Sequence, residues 1–393
     1  MNHEIKNKKD LQYLIKRSPD EEVTANGNTV SLFCNDSEEI NSYRGWVTYN
    51  NDVFLPGFPK PIEIDETHND LDVNDFSIYD SHEGTIIRIF FIENKWYVST
   101  NRKLDAMKSK WSSKYTTFGQ SFTNAIRYIM DDLDEDEDDE LDMTFSEKLN
   151  ITSCKNNEYL NKIFQAHLDP TKKYIFILKP SQEERIVCRV EPVPTIYHIG
   201  TFDKDNNFDL DSHISLNETI IEKPKKHVFS SFQEMTYTVE NINIDHYQGL
   251  ILICKKTNQH YKFLNHRYKY LFDIRGNVSS LKFRYIQLRN GDRKILNDFI
   301  ALYNFGKECN SIEHDLQRLS IILNEKYKNT FILKTEPISN KTKEDLFIKI
   351  VNTFYRKTRQ RIDQTIVKNL INIEEPSLVN QMLNNMRKEE QKI

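Results

Sequence analysis

The chain has 393 residues, 38% hydrophobic and 29% charged, with a formal net charge of -5; that is enough chain for two domains with packed cores. Five scattered cysteines with no CxxC pair exclude a disulfide framework and a Cys-rich zinc site. No apolar run approaches the roughly 18 residues of a bilayer span, and the polar start MNHEIKNKKD lacks the apolar stretch of a signal peptide. A reduced, cytoplasmic setting is expected. Scarce glycine with abundant Lys, Asn, Ile and Asp suggests an AT-rich genome and a viral or protist source, so a viral factory or virion is also in view.

Residues 1–40 are polar and read as an N-terminal arm with a first helix. YRGWVTY and DVFLPGF, split by Asn50-Asn51-Asp52, read as strands about a turn. Asp65 to Asp80 reads as a loop. Thr85 to Ile92 is apolar apart from Arg88, Glu93-Asn94 is a turn signal, and Lys95 to Thr100 returns; this predicts a buried hairpin. Ser121 to Met130 carries Phe122, Ile126 and Ile129 at helical spacing. Asp131 to Asp142 holds ten acidic residues and two leucines. Setting those ten charges aside turns the net -5 into +5, and such a block reads as a solvated, disordered loop.

Glu158 to His167 reads as a helix. Lys173 to Leu178, Arg185 to Val190 and Thr195 to Gly200 read as strands, with another in 225–240. Gly249 to Cys254 and Gln259 to Leu264 complete a β-rich region. Past Asp292 the periodicity turns helical: a capping box at Asn310 and Glu313, an apolar stripe from Asp345 to Ile371, and a last helix opened by Pro376. The expected fold class is α+β. Residues 1–40 form the arm, 41–290 a domain of mainly antiparallel strands, and 291–393 a helical C-terminal domain.

Four ordered segments carry a family resemblance. They are Tyr43-Arg44-Gly45-Trp46-Val47 with Pro56-Gly57-Phe58-Pro59-Lys60-Pro61; Ser81-His82-Glu83-Gly84 with its hairpin; Tyr174 to Val187, with Ser181, Arg185, Ile186 and Val187 matching; and Tyr247-Gln248-Gly249-Leu250-Ile251 followed by His260-Tyr261-Lys262-Phe263-Leu264. Together they resemble the phage-type RNA ligase 1 family, covalent nucleotidyltransferases of phages and large DNA viruses. The resemblance implies a nucleotide pocket lined by Arg44, Lys60, Ser81, His82, Glu83, Gly84, Gln248 and Lys262. It also implies ATP and Mg²⁺ as cofactors if the site is active.

Every departure falls at the chemistry. Ser81 stands where the family's lysine attacks the nucleotide, and a hydroxyl with no adjacent base is a poor nucleophile. Gln248 replaces a metal-binding glutamate, and an uncharged amide is a weak Mg²⁺ ligand. Leu178 and Leu264 replace a glutamate and a lysine. No confident cofactor and no metal site are expected. His82 as a replacement nucleophile is chemically conceivable, and the bland alternative for each position is an ordinary loop or strand residue.

Basic residues interleave with aromatics at Arg102, Lys103, Lys108, Lys110, Trp111 and Lys114; at Arg267 and Lys269 with Tyr268 and Tyr270; at Lys282, Arg284 and Arg289; and at Arg356, Lys357, Arg359 and Arg361. Such a pattern suits a phosphate backbone and unpaired bases, although a single charge run is as often a solvated face. The leading expectation is a catalytically degenerate ligase-like protein that binds an RNA end, break or cap. One alternative is an active ligase using Lys60, Lys95, Lys103 or Lys262. The other is an assembly protein reusing the fold, with a protein partner on its helical C-terminal domain.

Overall fold

The computed structural model describes residues 18–34, 43–113, 115–131, 145–339 and 341–390. Two compact units divide them, Met1–Lys269 and Tyr270–Ile393. Among the described residues the first holds three five-stranded sheets and a two-stranded one, mostly antiparallel, and the second is helical, so the protein is α+β.

In chain order the strands are β1 (Asp20–Val23), β2 (Thr29–Cys34), β3 (Tyr43–Tyr49), β4 (Asp52–Leu55), β5 (Phe58–Pro59), β6 (Ile62–Ile64), β7 (Phe76–Ser81), β8 (Thr85–Ile92), β9 (Lys95–Thr100), β10 (Lys173–Leu178), β11 (Ile196–Phe202), β12 (Phe208–Asp209), β13 (Ser215–Leu216), β14 (Thr219–Ile220), β15 (Lys226–His227), β16 (Gly249–Cys254) and β17 (His260–Leu264). The first sheet runs β1-β2-β3-β4, with β5 also on β3. The second runs β12-β11-β10-β8-β9, and the third β15-β7-β16-β17-β6. In the third sheet β6 and β17 are parallel.

The apolar run of β8 reflects burial on both faces. Ile87 and Ile89 enter a core with Phe122, Ile126, Leu160, Phe164 and Phe176. Phe90 and Ile92 point the other way, into a core with Val30, Leu32, Val47 and Ile175. Arg88 shares that second face at 0% exposure. Its guanidinium donates to the carbonyls of Gly45 and Thr100, tying β3 to β9. Burial lowers its pKa to about 9. The turn between β8 and β9 uses Glu93 and Asn94 at φ 46° and 63°, the left-handed pair that a two-residue hairpin demands.

β7 belongs to the third sheet and β8 to the second. The chain therefore crosses between sheets through His82, Glu83 and Gly84. Gly84 is needed for a close approach, since a Cβ there would lie 2.4 Å from the Leu178 carbonyl oxygen. The third sheet has its own core, in which Ile78, Leu250, Leu252 and Phe263 meet Phe232, Met235 and Val239.

Several sequence expectations are corrected. Within the described part of 1–40 there is a β-hairpin, β1 with β2, and no helix. Arg185 to Val190 is not a strand. The amides of Val187 and Cys188 go to the Glu83 carboxylate, and the Arg185 guanidinium takes the carbonyls of the same residues, so nothing is left for a ladder. Residues 225–240 give only the short β15 and then a helix, Phe232–Asn241, capped by Ser231. The Asn310/Glu313 capping box fails because its helix already starts at Gly306. The stripe from Asp345 to Ile371 is two helices, Lys343–Thr358 and Gln364–Ile373, separated at Arg359, whose φ is 58°. Apart from Asp131, the acidic block lies outside the described residues.

The helical unit is closed by Phe299, Ile312, Leu316, Leu323, Phe347, Val351, Val367, Met382 and Leu383, all at most 3% exposed.

Candidate functional site

The crossing 81–84 is the focus of the first unit. Ser81 ends β7 opposite Gly249, is 5% exposed, and accepts the Gln248 amide through its carbonyl. Glu83 is 2% exposed. Its two oxygens accept from the Val187 and Cys188 amides at 2.9 and 3.1 Å, and the Tyr268 hydroxyl adds a third bond. Burial still raises its carboxyl pKa. The same carboxylate, after desolvation, pushes up the neighbouring Cys188 thiol. Glu83 is thus committed to holding 187–188 in place.

Gln248 is 6% exposed, and its side-chain amide donates to the His82 carbonyl at 2.8 Å. A glutamate there would have no hydrogen to give. Leu178 and Leu264 are 3% and 8% exposed, and Leu178 packs in the second sheet's core. Neither the donor set nor its availability fits a Mg²⁺ site: one carboxylate is saturated by amides, one amide faces a carbonyl, and one position is core. Among the described residues no group of three His, Cys, Asp or Glu could hold a metal ion.

Lys262, on β17, lies opposite Ile251 and Glu63. Burial lowers its pKa, opposed by Glu63, Glu83 and Cys188 and reinforced by Arg44. Arg44, Glu83 and Lys262 therefore share one electrostatic neighbourhood. Lys60 stands exposed between β5 and β6. Sequence reasoning missed Lys179. It follows β10 directly, is 5% exposed, donates to the His246 carbonyl at 3.2 Å, and acts on both His82 and Glu83. Its one sequence signal was position: Leu178 pairs with Thr85, which brings the next residue level with Gly84.

His82 lies flat on Tyr197, with ring centroids 4.5 Å apart and planes 11° from parallel. Tyr247 meets it edge-on at 6.1 Å. Burial, and then Lys179, pull its pKa down to about 4, so at neutral pH the imidazole is uncharged. Neither tyrosine was singled out as a site residue, because 82, 197 and 247 share no sequence pattern.

The basic clusters fare differently. Lys103 pairs with Asp20 at 3.2 Å and Lys108 with Asp105 at 3.2 Å. Arg102 and Lys110 are exposed, Trp111 is half-buried, and Lys114 lies outside the described residues. Arg267 is exposed, while Lys269 pairs with Glu63 at 3.7 Å. Arg289 is held by Glu313 through both forks, and Arg284 is spent on the Ile274 and Asp273 carbonyls. Arg356, Lys357, Arg359 and Arg361 are all exposed, and none has an acidic partner among the described residues.

No family model matches the chain. It is 28% identical to the "Immediate-early protein ICP-46 homolog" of Invertebrate iridescent virus 6, over 95% of this chain and 84% of that protein. It is 27% identical to "Immediate-early protein ICP-46" of Frog virus 3, over 67% of this chain and 63% of that one. A homolog from Invertebrate iridescent virus 3 matches at 26% over 78% and 62%. The last two matches span less than two thirds of those relatives. All three relatives are viral, in line with the source that composition suggested. Among solved structures, an archaeal ATP-dependent RNA ligase aligns at TM-score 0.38 and 9% identity, over 76% of this chain and 70% of that one. A putative ATP-dependent DNA ligase from Aquifex aeolicus aligns at 0.38 and 13%, over 78% and 73%. Likenesses at that level carry no argument about chemistry.

Proposed function

We propose that the chain is an RNA-binding protein of ligase-like architecture that no longer performs covalent nucleotide transfer. The observation that carries the binding half is the quartet Arg356, Lys357, Arg359 and Arg361: four exposed cations within six residues, with no acidic partner among the described residues. Unneutralised cations at this density attract a phosphate backbone through counterion release, and half-exposed Tyr355 beside them offers a ring to an unpaired base. The loss of chemistry is supported by Ser81 at the nucleophile's position, the saturated Glu83, the Gln248 amide turned to a carbonyl, and Leu178 in the core.

Filter binding of a labelled single-stranded RNA between 50 and 200 mM salt tests the first half. Affinity should fall steeply with salt, and replacing the four cations by alanine should flatten the log–log slope by about 3, at roughly 0.7 per cation. Salt-insensitive binding, or an unchanged slope in the variant, overturns it and favours an assembly protein.

A second reading, an active nucleotidyltransferase with a displaced lysine, draws on one observation: burial lowers the Lys262 pKa, which leaves more free amine for attack. Incubation with Mg²⁺ and labelled ATP or GTP, followed by intact-mass analysis, separates the two. No adduct is expected; a phosphoramidate on Lys262 or Lys179 would establish the second reading.

A further inference from the structure

The connector between the helices Lys343–Thr358 and Gln364–Ile373 carries a hydroxyl among its cations. Thr358 is the last residue of the first helix and is exposed. Arg356 and Lys357 stand directly before it, Arg359 directly after it, and Arg361 just beyond. Arg359 turns the chain out of the helix at φ 58°, and residues 359–363 form neither helix nor strand. Thr358 Oγ1 donates to the Phe354 carbonyl at 3.0 Å and accepts from the Gln360 amide at 3.2 Å. Both bonds lie at the surface, where water replaces them at little cost.

Charge sets this threonine apart. Thr257 is also exposed and also follows two lysines. There, however, Lys255 donates to the Asn74 carbonyl at 2.8 Å and Lys256 pairs with Asp75 at 2.8 Å. Around Thr358 the four cations have no acidic partner among the described residues. The nearest carboxylate along the chain, Asp363, is taken up in capping the next helix through the Ile366 amide at 2.9 Å. A phosphate on Thr358 would bring roughly 1.5 to 2 negative charges and three acceptor oxygens into their midst. That offsets close to half of the quartet's charge. The helix dipole disfavours an anion at this end, so the phosphate would loosen the last turn and be held by the guanidinium forks.

We infer that Thr358 is a phosphorylation site, and that a phosphate there takes the place of RNA on Arg356, Lys357, Arg359 and Arg361. The enzyme that places it is a separate protein kinase with an acidic substrate groove, complementary to cations on both sides of the threonine. Such a groove needs a segment free of secondary structure, which 359–363 supplies. Thr358 Oγ1 attacks the γ-phosphorus of ATP, and the new P–O bond forms as the bond to the β,γ-bridging oxygen breaks. ADP leaves with the electron pair, and the hydroxyl proton passes to a base of the kinase. The regulation rests on the quartet being the RNA site proposed above; the acceptor role of Thr358 does not.

The test uses the full-length chain and its variants Thr358→Val and Thr358→Glu, with the catalytic domain of protein kinase C and Mg²⁺-ATP as the probe. Peptide mass mapping locates the phosphate, and filter binding of a labelled single-stranded RNA across a salt series reads its effect. Wild type should gain phosphate at Thr358. It should then bind RNA roughly tenfold more weakly, with the log–log salt slope flatter by about 1 to 1.4, at roughly 0.7 per cation neutralised. Phosphatase should restore the original slope. Thr358→Glu should flatten the slope by about half as much without any kinase, and Thr358→Val should bind as wild type does before and after kinase treatment. A slope that follows the added charge, and returns when it is removed, separates charge from damage to the helix. Thr358 left unmodified by the kinase overturns the inference. Phosphate at Thr358 with affinity and slope unchanged overturns the regulation and leaves the RNA reading standing. If the unmodified chain binds no RNA, that reading and the regulation fall together, while the mapping still decides the acceptor role.

Discussion

The Gln248 side chain donates to the main-chain carbonyl of His82 at 2.8 Å, bridging the start of β16 to the crossing that leaves β7. The bond fixes the identity of residue 248. Gln248→Glu would set a carboxylate against a carbonyl oxygen, with loss of a buried hydrogen bond worth about 1–3 kcal/mol. Urea unfolding at pH 7.5 should show the midpoint falling. An unchanged midpoint would mean that the bond is immaterial.

Glu83→Ala should be more damaging. It strips the acceptor from two main-chain amides, Val187 and Cys188, and buried donors left bare cost about 1–3 kcal/mol each. Glu83→Gln keeps one acceptor oxygen and should fall between wild type and alanine. Chemical denaturation gives the order, and equal stability of all three proteins would refute the structural role given to this carboxylate.

Gly45 has φ 81°, where side chains are strained, and a Cβ there would lie 2.5 Å from Arg88 Nη1. Gly45→Ala should therefore lower the melting temperature by several degrees, through displacement of a guanidinium that has no room to move. A melting curve superimposable on wild type would contradict this packing.

Two buried histidines, His198 and His260, and the half-buried His82 should make the fold acid-sensitive. Burial holds His82 near 4, His198 near 3 and His260 near 4, against an ordinary 6.5. The unfolded chain takes up protons below about 6.5 and the native chain does not. The full contribution is therefore present above that pH and is lost progressively as pH falls towards 4. Glu83, with its raised pKa, works in the opposite sense over the carboxylate range, so the comparison is best made between variants. His198→Gln should give a shallower loss of stability between pH 7 and 5 than wild type, measured by urea titration at each pH. Parallel curves would show that His198 is not held neutral.

Much of the fold was legible along the chain. The Thr85–Thr100 hairpin announced itself by a run of apolar β-formers around Glu93-Asn94. The strands Lys173–Leu178 and Gly249–Cys254 lie where their β-branched content put them. Arg185 to Val190 misled because its apolar side chains fit a strand, while its main-chain groups had been claimed by Glu83 and Arg185. The helix Phe232–Asn241 was hidden in a segment whose Ser231 and Glu234 cap it, a signal weaker than the strand-like residues nearby.

The candidate site divides in the same way. The sequence by itself determined that positions 81, 178, 248 and 264 carry a hydroxyl, an isobutyl group, an amide and an isobutyl group, with no amine or carboxylate among them. It also determined the local elements, since periodicity and turn chemistry are short-range. Only the tertiary structure decided that His82 lies on Tyr197, that Lys179 is buried beside the crossing, and that Arg356 to Arg361 meet no acidic partner among the described residues. Those outcomes depend on which distant groups share a space, and pairing, burial and stacking are set by that proximity rather than by order along the chain.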